Sequence, residues 1–168
     1  MKGSDHIRAA LEALGFPDDP EMTHTHEQVA TFLNEFTNKD PLPAPQVLPT
    51  NSDDLLVVRD LPYHSLCAHH LLPFFGQCTI VLRPKGKVVG LGWFPRLLAH
   101  LARRPQLQER LANQLAEEMM RILEPTAVVV RLTARQMCVE MRGARSPGTV
   151  EVIAERGSVN DLHGFLNS

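Results

Sequence analysis

Hydrophobic positions recur along this chain with two periods, and the change from one to the other marks out its elements. Ile7, Ala10, Leu11 and Leu14 share one helical face within His6 to Leu14, and Gly15 and Pro17 stop that helix. A second helix is predicted from Thr25 to about Phe36, with Val29, Phe32, Leu33 and Phe36 on one side. Pro41, Pro43, Pro45 and Pro49 then make a stiff, non-helical connector. Beyond it the period shortens to two. Strands are predicted over Asp54 to Asp60 and Gly76 to Arg83, and a short one over Val88 to Leu91 after the turn Pro84-Lys85-Gly86-Lys87. Helical spacing returns in Pro95 to Ala102 and in a longer helix starting at Pro105, where Leu107, Leu111, Leu115, Met119 and Ile122 align. Strands from Ala127 to Cys138 and Thr149 to Glu155 complete the set. Val128, Val130 and Leu132 alternate with Val129, Arg131 and Thr133, the pattern of an antiparallel sheet covered on one face.

The order of elements predicts an α+β fold: a four-stranded antiparallel sheet with two helices inserted between strand pairs, preceded by N-terminal helices. Residues 1–50 form the helical region and connector, and residues 51–168 form the main domain. No internal repeat or low-complexity segment interrupts it.

Composition narrows the function classes. A chain of 168 residues with 43% hydrophobic content can bury a real core. Its net charge of −2 argues against a general nucleic-acid binder, and the pair Arg103-Arg104 is too short a basic cluster to change that. No apolar run approaches a membrane span and no signal-peptide pattern opens the chain, so a cytoplasmic protein is expected. Three cysteines, an odd number, fit metal ligation in a reducing compartment better than a disulfide framework. Cys78 sits in the alternating run Gln77-Cys78-Thr79-Ile80-Val81-Leu82 and reads as an ordinary strand residue.

The remaining two cysteines carry the chemistry. Ser65-Leu66-Cys67-Ala68-His69-His70 places a thiol and an imidazole within one turn of chain, and Cys138 supplies a second thiol far downstream. Cys67, His70 and Cys138 would suit a catalytic zinc, which takes three protein ligands and leaves its fourth position to water. On spacing alone the commoner reading is that such cysteines are buried small hydrophobes and such histidines surface polar groups.

The surrounding words change that balance. Val57-Val58-Arg59-Asp60-Leu61-Pro62, Ser65 to Phe75, Val89-Gly90-Leu91, Arg103 to Leu111 and Cys138-Val139-Glu140-Met141-Arg142-Gly143 follow in an order and spacing that resembles the GTP cyclohydrolase I family, over roughly residues 20 to 157. The resemblance implies the tunnelling fold, in which subunits join sheets edge to edge, and a homo-oligomer, a decamer, with active sites at subunit interfaces. It implies a guanine-type small-molecule substrate and a zinc cofactor held by Cys67, His70 and Cys138. It implies the family's reaction, in which water opens GTP at C8, formate leaves and the product recloses to dihydroneopterin triphosphate. His69 matches a histidine that takes part in proton transfer. Gln108 and Glu109 match the guanine-recognising pair, and Arg96 and Arg142 match phosphate-binding arginines.

Departures from the family pattern fall around those same positions. Ala68 stands where the family has a glutamate between cysteine and histidine, and Gln136 stands where it has a catalytic histidine. Glutamine cannot shuttle a proton at neutral pH. The family's Gly-Leu-Ser-Lys becomes Gly90-Leu91-Gly92-Trp93, and its Thr-Pro-x-Arg becomes Thr25-His26-Glu27-Gln28, losing cations in both places. Trp93 reads either as a ring-stacking group or as simple packing. Three functions are therefore carried forward: a zinc cyclohydrolase with altered substrate or truncated reaction, an ordinary GTP cyclohydrolase I, and a non-catalytic pterin- or purine-binding subunit.

Overall fold

The computed structural model describes residues 2–16, 19–37, 41, 42 and 44–166. Pro17 and Pro43, read above as a helix stop and a connector residue, lie outside them, as do Asn167 and Ser168. The chain divides into two compact units, residues 1–39 and 40–168.

The first unit holds helix α1 (Gly3–Ala13) and helix α2 (Thr25–Phe36), joined through a single 3-10 turn at Pro20–Met22. The Asp19 carboxylate caps that turn by accepting from Glu21 N at 2.9 Å. His26, in contact with the Arg8 guanidinium at 2.5 Å, is the one buried residue among those described in this unit.

The second unit is built on a five-stranded sheet. Its strands are β2 (Leu56–Cys67), β3 (Pro73–Arg83), β5 (Pro105–Gln106), β6 (Ala127–Gln136) and β7 (Thr149–Gly157), in the spatial order β5-β2-β3-β6-β7. A separate pair joins β1 (Val47–Pro49) to β4 (Lys87–Val89). Helices α3 (Trp93–Ala102) and α4 (Gln108–Leu123) contact this sheet, α3 at β2 and α4 at β6 and β7. The alternation read from sequence explains the core. Cys78, Ile80 and Leu82 of β3 and Val128, Val130 and Leu132 of β6 point inward against Phe94, Leu97 and Leu98 of α3 and Leu111, Leu115 and Met119 of α4. Burial pushes the Cys78 thiol up to about 12, so it behaves there as a small apolar group.

Four expectations need correction. First, β2 does not stop at Asp60. A register irregularity between Val58 and Leu61, with Asp60 at φ 54°, absorbs the Asp60-Leu61-Pro62 signals that read as a strand end, and pairing resumes through to Leu66. Cys67 is therefore the last residue of a strand. Second, Pro105 does not start the long helix. Pro105 and Gln106 pair in parallel with Leu66 and Cys67, which adds a fifth, two-residue strand to the expected four. Third, β6 ends at Gln136, and Cys138 rides on a one-turn helix α5 (Met137–Glu140). Fourth, the outer sheet face is not bare. Leu162 and Leu166 of the C-terminal segment bury Val81, Ala127 and Val129, Arg59 donates to Phe165 O at 2.7 Å, and Arg83 pairs with Asp161 at 2.5 Å.

Candidate metal centre

Three chain segments meet at one end of the sheet. The first is the turn after β2. Cys67 N donates to Leu72 O at 2.8 Å, while Cys67 O accepts from His70 N at 3.3 Å and Leu71 N at 2.8 Å. This closed turn requires Leu71 in the left-handed region at φ 54°, a conformation that costs a leucine on the order of 1 kcal/mol. Its effect is to fold both imidazoles back on the thiol. Cys67 Sγ lies 3.9 Å from His69 Nδ1 and 3.7 Å from His70 Nδ1.

The second segment is the junction of β6 and α5. Phe74 pairs with Gln136 across β3 and β6, which brings the end of β6 beside the turn. The side-chain donor atoms of Cys67, His70 and Cys138 all lie within 4.8 Å of one another. On a tetrahedral zinc, a sulfur at about 2.3 Å and a nitrogen at about 2.0 Å sit roughly 3.5 Å apart. The 3.7 Å between Cys67 and His70 is close to that edge, and the donor set fits the ion in type and number. Burial and the neighbouring Cys67 thiol raise the Cys138 pKa, the shift that a metal cation would reverse.

A helix of four residues has no stability of its own. Arg135 and Glu140 clasp it across the junction, through Nε to Oε1 at 3.0 Å and Nη2 to Oε2 at 2.5 Å, and the Arg135 guanidinium also lies 5.9 Å from the Phe75 ring centre. The Arg135 hydrogen bond is the main cause that lowers the Glu140 pKa. Glu140→Gln is expected to weaken zinc binding by about 10-fold, the size of effect seen when groups supporting a ligand are lost. Competition against a chromophoric chelator measures it, and a change under twofold would mean that the clasp does not place Cys138.

The third segment is the start of α4. Gln106 is fully buried, and its amide nitrogen donates to Leu101 O at 3.0 Å and Gln114 Oε1 at 2.9 Å, while its oxygen accepts from Leu107 N at 3.1 Å and also from Arg110 Nε. Gln106 O in turn accepts from Ala68 N at 3.0 Å, tying the helix start to the ligand turn. Gln108 and Glu109 follow in the first turn.

Together these segments line a cleft of about 570 Å³ that includes Cys67, His69, Gln108, Glu109, Gln136 and Cys138, with Phe74, Val139 and Val150 as apolar walls. The first unit contains a cleft of about 590 Å³, so volume does not choose between them. Chemistry does, because among the described residues the donor cluster is at the former.

The structure brings together most of the expected site residues and relocates the rest. His69 and Glu109 are exposed at the cleft. Gln108 lines it, but is 2% exposed and spends its amide on protein groups. Arg142 stands in contact with His70 Nε2. Gly92 and Arg96 are exposed at the start of α3, where Arg96 Nε donates to Gly92 O at 3.1 Å, and neither lines the cleft. Trp93 is the residue whose stacking role the structure removes. It is 1% exposed in the core, edge-on to Phe94 at 5.6 Å, because its position in the first turn of α3 faces the sheet. Sequence reasoning missed Val150, which has no local signal, and the Arg135–Glu140 clasp, whose i,i+5 spacing matches neither helix nor strand.

Comparison with known proteins gives one consistent result. A family model described as GTP cyclohydrolase I matches residues 3–162. GTP cyclohydrolase 1 of Bacillus subtilis is 38% identical over 164 residues, spanning 92% of this chain and 85% of that protein. GTP cyclohydrolase 1 of Clostridium kluyveri is 34% identical over 172 residues, spanning 99% and 93%. Among solved structures, the archaeosine synthase QueF-Like in its apo form superposes with a TM-score of 0.50 at 23% identity, covering 65% of this chain and 99% of that one. At that identity the likeness establishes the fold, a tunnelling fold.

Proposed function

Because this chain belongs to the GTP cyclohydrolase I family, we propose that it is a zinc-dependent hydrolase attacking C8 of a guanine-type ring, with an altered substrate or a reaction that stops after ring opening. The observation that carries the second half is Gln136, a residue without a transferable proton in the cleft beside Cys138.

Cys67, His70 and Cys138 would hold the zinc. When bound, the ion lowers the pKa of a water toward about 7, so that a nucleophile exists at neutral pH. The other roles belong to the chain. Glu109 accepts from the ring N1–H and the exocyclic amine, and so rejects adenine, which has no donor at N1. His69, exposed at the cleft, moves protons through a ring nitrogen that can both accept and donate one. Ring opening consumes one water: its oxygen joins C8, the C8–N9 bond breaks, and its two hydrogens end one on N9 and one on N7, which keeps the formyl group. Release of formate and reclosure need further proton transfers, which Gln136 does not supply.

Arg142 serves a substrate phosphate. Gly92 and Arg96, away from the cleft within one chain, suit a site completed by a second copy. A homo-oligomer with interfacial sites, a decamer by family resemblance, satisfies this and also covers the exposed edge strand β7. No helix of the described residues is long and apolar enough to cross a membrane, and the free thiols fit the cytoplasm.

Zinc-loaded protein incubated with GTP is expected to give a product one water heavier than the substrate, with little formate and little pterin fluorescence after oxidation. Rapid, stoichiometric pterin would overturn this proposal. It would establish instead a complete GTP cyclohydrolase I, the reading favoured by 38% identity across 92% of the chain.

A further inference from the structure

Gln136 has a fixed orientation, and its neighbours dictate which of its two polar atoms faces the cleft. The Gln108 amide nitrogen donates to Leu132 O at 2.9 Å and to Val150 O at 3.0 Å. An amide nitrogen carries two hydrogens, so both are spent, and what Gln108 presents to Gln136 is its oxygen. Gln136 accordingly donates Nε2 to Gln108 Oε1 at 2.7 Å. Flipping Gln136 would set two amide oxygens against each other. Flipping Gln108 would turn its oxygen on two backbone carbonyls. Gln136 Oε1 is thereby directed to the ligand side, where Cys138 Sγ lies 3.9 Å away, beyond the length of a good hydrogen bond. The chain thus holds a permanent acceptor, with no proton to give, in the cleft that contains Glu109.

We infer that Gln136 is a specificity-determining residue that selects a guanine-type ring carrying hydrogen on N7, as an 8-oxoguanine nucleotide or a ring-opened formamidopyrimidine does, over guanine itself. This rests on the function proposed above. With Glu109 on the N1–H edge and the metal end at C8, N7 is the unsubstituted nitrogen beside the reacting carbon, since N9 carries the ribose. In guanine N7 is an acceptor and meets the Gln136 oxygen, so both go unsatisfied. An N7–H donates to it, and the N1–H edge that faces Glu109 is the same in all of these rings. Retention of a formamide, whose N7 carries hydrogen, follows from the same preference.

The test is equilibrium binding to the zinc-loaded full chain of GTP, 8-oxo-GTP, 7-deaza-GTP and the formamidopyrimidine nucleotide. Both N7–H ligands are expected to bind at least 10-fold more tightly than GTP, and 7-deaza-GTP, with a C–H at that position, falls between. Gln136→Met should bring all four within about threefold, and Gln108→Met, which frees Gln136 to rotate, should narrow the gap in the same direction. Circular dichroism and zinc stoichiometry check that both variants fold. An advantage for 8-oxo-GTP that survives Gln136→Met, without one for the formamidopyrimidine, belongs to the extra oxygen on C8 and overturns the inference. Equal affinities in the unsubstituted protein, all lost in Glu109→Gln, overturn it while leaving the guanine-type reading intact. Binding of none of the four overturns both.

Discussion

Zinc content is expected to fall from about one ion per chain to less than a tenth when Cys138 is replaced by serine. A serine hydroxyl keeps its proton at neutral pH and is a poor zinc ligand, so the site drops from three protein donors to two. The geometry makes this loss severe. Cys67 and His70 belong to one closed turn, but the third donor arrives on a separate one-turn helix. Loss of groups that merely support a ligand costs 10–100-fold in affinity or activity, so loss of the ligand should cut hydrolysis by more than about 100-fold. Stability gives an independent readout. An ion bound at 100 times its Kd adds about 2.7 kcal/mol, so zinc should raise the melting temperature of the natural chain and leave Cys138→Ser unmoved. The pH dependence has a definite sign. The Cys138 pKa is raised in the metal-free chain, and zinc takes the thiolate, so binding releases protons and weakens as pH falls. Unchanged metal stoichiometry in Cys138→Ser would show that the ion is held elsewhere.

How much of this site the sequence reveals follows from how local each signal is. Strands β3, β6 and β7 and both sheet-covering helices are legible because alternation and helical spacing record which face is buried, and burial is what shapes them. The end of β2 is not legible, because Asp60-Leu61-Pro62 carries every mark of a strand terminus and only the partner strand shows that a bulge absorbs it. Pro105 is misread for the same reason. A proline ahead of a helical repeat marks a helix start, yet the buried Gln106 amide and the pairing with Leu66 and Cys67 hold those two residues extended. At the site, Cys67 and His70 are readable from three residues of spacing. Cys138 gains meaning only from the words around it. Trp93 illustrates the limit: a lone tryptophan beside a glycine suits a stacking platform and a core anchor equally, and the orientation of α3 decides for the core.

Gly76→Ala is expected to be the most damaging single-methyl change in the second unit. Gly76 lies in β3, opposite Tyr63 on one side and Ala134 on the other. A Cβ at Gly76 would stand 1.8 Å from Thr133 O, 2.7 Å from Thr133 C and 2.8 Å from Ala134 Cα. All three are backbone atoms of the neighbouring strand, so no rotamer change relieves the clash. The Tyr63 hydroxyl crosses the same point to donate to Thr133 O at 3.4 Å, which shows how closely the three strands approach there. β3 is the middle strand of the sheet, and moving it disturbs the pairs Phe74 with Gln136 and Phe75 with Arg135 that bring the third ligand to the first two. A cost of at least about 4 kcal/mol is expected, a large part of a typical 5–15 kcal/mol stability. For a chain of this size that corresponds to a fall of roughly 8–16 °C in melting temperature. Zinc affinity should fall in the protein that remains folded, since the clash acts on the strand register that assembles the site. Gly90→Ala is the control, because nothing lies within 4 Å of its Cβ position, and it should melt within about 2 °C of the natural chain. If Gly76→Ala melts as high as Gly90→Ala and binds zinc as tightly, β3 and β6 do not approach as closely as this register requires.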